Sequence, residues 1–126
     1  MKPTFIQVPS YGDYSFRVSP ETVPYFYNPF HYHTELELTY VMKGDGTRFI
    51  GDHIEKFRSN DLVLVGSYLP HCWKSDPQYF QKNSILEVQM IVVHFKVDFA
   101  GAGFFQLPEL KHIGQLIEDA KRGIKF

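Results

Sequence analysis

Polar and apolar side chains alternate along residues 31–43. Tyr32, Leu36, Leu38, Tyr40 and Met42 share one parity with Thr34, while His31, His33, Glu35 and Glu37 share the other. A period of two over this length predicts one long β-strand, His31–Lys43. Gly44-Asp45-Gly46 predicts a tight turn, since Asp-Gly tolerates positive φ, and Thr47–Ile50 is expected to pair back as a hairpin. Gly51-Asp52 turns into a strand at His53–Phe57, and Ser59-Asn60-Asp61 turns into the apolar strand Leu62–Val65. A loop at Gly66–Pro70 leads to a short strand at His71–Lys74. The polar stretch Asp76–Asn83 reads as a surface loop, and Ile85–Val97 as a long strand rich in Val and Ile. Short strands with turns roughly every eight to twelve residues predict an all-β sandwich or barrel.

The two ends differ from this centre. Residues 1–30 hold five of the eight prolines (Pro3, Pro9, Pro20, Pro24, Pro29), which argues against long regular elements there. Short edge strands are expected around Phe5–Val8 and Tyr14–Val18. At the other end, Leu110, Ile113, Leu116 and Ile117 recur at helical spacing, Pro108 suits a first helical turn, and Gly123 suits a stop. These signals predict one amphipathic helix at about 107–121. Ile124-Lys125-Phe126 then reads as the start of something further, as in a domain cut from a longer protein.

Composition narrows the class. At 126 residues the chain is about one domain, and 17% aromatic residues, with twelve Phe and eight Tyr, favour β structure with an aromatic pocket or interface. A net charge of −1 lacks the basic footprint of duplex DNA binding, so the chain is not expected to grip DNA by itself. The single cysteine, Cys72, excludes an internal disulfide framework, suits a reducing cytoplasmic compartment, and reads as a small buried hydrophobe. No run suggests a signal peptide or a membrane span.

The candidate chemistry lies on the polar parity of the first long strand. His31, His33 and Glu37 would share one face, and His71, at the end of a later run, can close the set. Three imidazoles and a carboxylate suit a divalent transition metal (Zn, Ni, Fe or Mn) or hydrogen bonds to a polyhydroxylated small molecule. The alternative is a solvated polar face with Leu36, Leu38, Tyr40 and Met42 in the core. Tyr32 and Trp73 can add aromatic stacking, although Trp73 reads equally as core. Arg48, just after a turn, can reach an anionic ligand or end a strand in solvent. Glu35 shares the parity, and a bulge can turn it outward. His94, among Val and Phe, reads as a hydrogen-bonded core histidine, with a pocket residue as the alternative, and His53 and His112 read as surface residues.

His31-x-His33-x3-Glu37-x6-Gly44 resembles the first cupin motif. The glycine usually found six residues before the first histidine is replaced by Tyr25. A second cupin motif aligns from Asn60 to Ser75, with Asn60, Gly66 and Tyr68 in place of its Gly, Pro and Gly, and with His71 on its histidine. A narrower resemblance covers nearly the whole chain. Phe30 to Val41, Lys43 to Asp52, Asn60 to Val65, Leu69 to Trp73, Val93-His94-Phe95 and Leu107 to Ile124 together resemble the sensor domain of AraC-type transcriptional regulators.

These resemblances imply an all-β, cupin-like double-stranded β-helix (jelly-roll) barrel at residues 1–103, with residues 1–30 as a candidate N-terminal arm. A C-terminal helical segment at 104–126 would lead to dimerisation and DNA-binding regions absent from this chain. They imply a small-molecule effector, such as a sugar, bound in the barrel by His31, His33, Glu37, His71, Tyr32, Trp73 and Arg48. The quartet His31, His33, Glu37 and His71 would be the metal ligands, if a metal takes part. A homodimer is implied, with DNA contacted only through helix-turn-helix motifs elsewhere. The rival expectation is a metal-dependent cupin enzyme, a dioxygenase or sugar isomerase, whose quartet leaves coordination positions open for substrate.

Overall fold

A computed structural model describes residues 2–126. Its strands are β1 (Thr4–Phe5), β2 (Phe16–Val23), β3 (His31–Tyr32), β4 (Leu36–Lys43), β5 (Gly46–Ile50), β6 (His53–Phe57), β7 (Leu62–Val65), β8 (His71–Ser75), β9 (Val88–Phe95) and β10 (Ile124–Lys125); the helix α1 spans Lys111–Asp119. Among the described residues they form two five-stranded sheets, in the orders β1-β3-β8-β5-β6 and β10-β7-β4-β9-β2. The pairings between neighbours are antiparallel except β1 with β3. The chain changes sheet at every step from one strand to the next except β5 to β6 and β9 to β10. This is the jelly-roll barrel expected from the sequence, with one C-terminal helix.

The predicted long strand His31–Lys43 is corrected by a break. β3 ends at Tyr32 in the first sheet, residues 33–35 bend, and β4 resumes at Leu36 in the second. The predicted hairpin across Gly44-Asp45-Gly46 is a crossover instead: β4 and β5 lie in different sheets, and β5 pairs with β6 and β8. Gly44 makes the crossover with φ +150°, where a Cβ would sit 3.2 Å from Val88 Cγ1. The proline-rich segment, expected to hold only short strands, forms the eight-residue β2. Pro20 is tolerated because β2 is an edge strand, paired with β9 on one side only.

The strand read at Ile85–Val97 is trimmed to β9, with Ile85 exposed, and the 76–83 loop contains a 3₁₀ turn, Pro77–Phe80. That turn buries Tyr79, whose hydroxyl donates to Asp45 Oδ2 at 3.1 Å and accepts from the Asp45 N–H at 3.1 Å. The predicted helix at 107–121 is shorter, because Pro108–Leu110 and Ala120–Arg122 are 3₁₀ turns at its ends. Gly123, at φ +79°, stops it as expected; a Cβ there would meet Ile50 Cγ2 at 2.8 Å.

Two apolar clusters explain the alternation along β4. Between the sheets, Val41, Val65, Trp73, Phe57, Val88 and Met90 form the main core. On the outer face of the second sheet, Leu36, Leu64 and Ala120 are buried under Leu116, Ile117 and Ile124. Leu36 and Leu38 therefore face the helix, while Glu37, Thr39 and Val41 face the barrel interior. Both faces are covered, so neither parity is solvated until Met42. Among the described residues, no helix is long and apolar enough to cross a membrane.

Candidate functional site

The bend after β3 brings the polar parity inward at one end of the barrel. His31 opens β3 and lies opposite His71, which opens β8. Directly opposed antiparallel residues present side chains to one face, so the two rings meet at 4.4 Å between centroids. Glu37 reaches in from β4 on the other sheet, and His33 hangs from the bend between them. One ligand atom from each of His31, His33, Glu37 and His71 lies within 4.8 Å of the others, and all four residues are buried. Alternation in the sequence puts His31, His33 and Glu37 on one face of one strand, with His71 added from a later run; the structure assembles the four from both sheets.

Hydrogen bonds fix how the rings face. The Nδ1–H groups of His31, His33 and His71 donate to the backbone carbonyls of Pro29 (2.7 Å), Glu35 (3.0 Å) and Leu69 (2.7 Å). A carbonyl can only accept, so in each ring Nε2 is the nitrogen left to face the centre. Glu37 Oε2 lies 3.0 Å from Nε2 of His33 and 3.0 Å from Nε2 of His71, and its Oε1 accepts from Thr39 Oγ1 at 2.7 Å. An ionised carboxylate also only accepts. A ring with Nδ1–H committed can meet it through Nε2 only by carrying a second proton, whereas a cation between them takes both lone pairs directly. This donor set therefore fits a divalent transition metal: His31, His33, Glu37 and His71 would hold it, with their orientations already fixed by the backbone.

The electrostatics follow from this packing. Burial is the largest influence on Glu37 and pushes its carboxyl up, yet the charge of His71 and the hydrogen bonds from His33, His71 and His94 hold it well below its ordinary 4.5. Burial likewise pushes His71 down, but the charge and hydrogen bond of Glu37 outweigh it and raise His71 above 6.5. His31 is lowered, by burial first and then by the neighbouring His71. In metal-free protein the Glu37 contribution is present above about pH 4.5 and lost as pH falls through its lowered value. The His71 contribution is present below about pH 6.5 and lost as pH rises through its raised value. His31 acts in the opposite sense to His71, so acidification below 6.5 removes some stability through it. The melting temperature of chelator-treated wild type minus that of Glu37→Gln is expected to peak between about pH 4.5 and 6.5, read by calorimetry; a difference flat with pH would overturn this assignment.

The other named residues divide by position. Trp73 is 1% exposed, stacks edge-on beneath His71 at 5.7 Å, and belongs to the core. Tyr32 points away from the cluster and packs on Phe5 at 5.5 Å. Arg48 is neither solvated nor beside the histidines. It is buried, donates from Nη1 to Glu55 Oε2 at 3.0 Å, lies 3.3 Å from Asp61 Oδ2, and borders a cavity of about 140 Å³ with His53 and Lys125. Glu35 is buried outside the quartet, accepts from Thr34 Oγ1 at 2.9 Å, and borders a cavity with Val8, Tyr11 and Lys96 under the N-terminal segment. Cys72 is buried, and burial pushes its thiol up. His53 and His112 are exposed.

His94 reads from the sequence as a hydrogen-bonded core histidine or a pocket residue, and the structure gives its partner. Its Nε2 lies 3.2 Å from Glu37 Oε2, which adds a further imidazole to the cluster. The register pairs Glu37 with His94 across β4 and β9. A signal was present in the sequence: Val88, Met90, Val92 and His94 share the inward parity of β9, and His94 is the one polar residue among them.

Solved structures that superpose on this chain include several cupins. A cupin 2 conserved barrel domain protein from Rhodopseudomonas palustris superposes with a TM-score of 0.53 at 13% identity, over 70% of this chain and 57% of that one. A cupin 2 conserved barrel domain protein from Salinispora arenicola gives 0.53 at 15% identity, over 86% and 79% of the two chains. A cupin protein from Bacteroides fragilis gives 0.53 at 14% identity, over 77% and 87%. This chain thus spans a little over half the length of the first of these and most of the other two. No protein-family model matches the sequence, and no curated protein does. The fold is that of a cupin barrel.

Proposed function

We infer that this chain is the sensor module of an AraC-type transcriptional regulator, and that His31, His33, Glu37 and His71 hold a divalent transition metal within it. The observation that carries the metal reading is the commitment of three Nδ1–H groups to backbone carbonyls around one buried carboxylate. When bound, the metal supplies a point of coordination for a small oxygen- or nitrogen-donor effector. Sensing is favoured over turnover because turnover needs an acid or base beside the metal, and Glu35, the carboxylate nearest in sequence, is buried outside the quartet with Thr34 as its partner. The AraC-type assignment rests on the sequence resemblance that runs from Phe30 to Ile124. Effector binding would select one arrangement of the N-terminal segment and the C-terminal helix, and so reorient attached DNA-binding domains.

A metal-dependent cupin enzyme is the second reading, favoured by the donor set, whose four ligands leave room for substrate on an octahedral ion. Two measurements test the proposal. Elemental analysis after chelator-free purification is expected to find about one transition metal per chain, lost in His33→Ala; substoichiometric metal unchanged by that substitution defeats the metal reading. The coding frame beyond Phe126 is expected to continue into two basic helix-turn-helix patterns. A stop codon there defeats the regulator reading and moves the enzyme ahead.

A further inference from the structure

The cluster contains one imidazole that the metal quartet does not use, and its bonding differs from the others. In His31, His33 and His71 the Nδ1–H is committed to a main-chain carbonyl, leaving Nε2 as a lone pair toward the centre. His94 has no such acceptor: its Nδ1 is buried without a hydrogen-bond partner. A neutral imidazole has one N–H and places it where an acceptor exists. For His94 that acceptor is Glu37 Oε2, 3.2 Å from Nε2. The rings thus divide their work, three presenting lone pairs and one presenting a proton.

We propose that His94 is the positioning residue of this centre, donating its Nε2–H to Glu37 Oε2 so that the carboxylate is presented to the metal in one fixed orientation. Glu37 is then gripped at both oxygens, Oε1 by the Thr39 hydroxyl at 2.7 Å and Oε2 by His94. The remaining electron density of Oε2 is directed at the space shared with Nε2 of His33 and His71. The backbone supports the arrangement, because Glu37 and His94 are register partners on central β4 and its neighbour β9, one pair in from the Leu36–Phe95 end of the ladder. A side chain that merely filled volume here would be served better by Val or Leu, in keeping with Val88, Met90 and Val92 on the same face.

This inference rests on the metal reading above, and the test separates the two. Co(II) affinity is measured by competition with a chromophoric chelator for the wild-type chain, His94→Gln and His94→Leu, together with the visible Co(II) absorption of each. His94→Leu is expected to weaken binding by about 10–100-fold and to shift the absorption bands, whereas His94→Gln, which keeps an N–H at similar reach, stays within about threefold of wild type. His94→Asn, whose shorter amide stops short of Oε2, is expected to behave like the leucine variant and serves if that variant does not fold. If His94 only packs, the order reverses, and the apolar leucine binds Co(II) as well as or better than the glutamine; that order overturns the proposal. Wild-type protein that binds no Co(II) overturns the metal reading itself, and the role of His94 with it.

Discussion

Glu37→Ala is expected to destabilise the metal-free domain by about 3–5 kcal/mol, the range for removing one partner from a buried ionic group. Glu37 is 6% exposed, and its Oε2 serves three imidazoles while Oε1 serves Thr39. Deleting the carboxylate strands those groups between the two sheets. Each buried polar atom left without a partner costs about 1–3 kcal/mol, so even partial rearrangement leaves a large deficit. The imidazoles can shed protons once the anion is gone, which places the effect toward the low end of the range. Glu37→Gln keeps the volume and an accepting oxygen and is expected to lose less than half as much. Chemical denaturation of chelator-treated protein near pH 6 checks both; a loss under about 1 kcal/mol for the alanine variant would mean that Glu37 is not the hub of the cluster.

Trp73→Ala is expected to cost about 3–5 kcal/mol by opening a cavity in the main core. Trp73 is among the largest fully buried side chains and lies edge-on to His71, with ring planes at 80°. Its loss removes packing that holds the His71 ring, so metal affinity should fall along with stability. Trp73→Phe is the informative control. The indole Nε1–H has no hydrogen-bond partner, so phenylalanine deletes a donor that was already unsatisfied and forfeits only volume. A phenylalanine variant as unstable as the alanine one would show that the indole N–H carries an interaction absent from this structure.

Local signals were legible in the sequence and long-range register was not. The strand at Leu62–Val65 and the turn before it are read correctly because an unbroken apolar run follows Asn60, which takes φ 74°. The histidine and carboxylate spacing identified a cluster, but through the wrong geometry. Parity passes unchanged through the bend at residues 33–35, so a two-sheet crossing looks like one strand. Asp45-Gly46 carries the same turn chemistry whether the chain folds back or crosses over, and only the pairing of β5 with β8 decides. The hydrogen-bonded interior position of His94 was legible but its partner was not, because Glu37 is 57 residues away and register is set by the assembled sheet. Arg48 looked solvated because its partners Glu55 and Asp61 approach from the following strand and the turn beyond it.

The repeated passage of the chain from one sheet to the other has a kinetic consequence. β4 must find β9, and β9 must also find β2, across much of the chain before the second sheet can form. Folding of such a topology is dominated by loop closure and falls in the slow, millisecond-to-second regime of non-local β proteins. The cluster draws on β3, β4, β8 and β9, so no early, locally formed fragment contains it complete. Metal would then act as a latch on the finished barrel, slowing its unfolding much more than it speeds its folding.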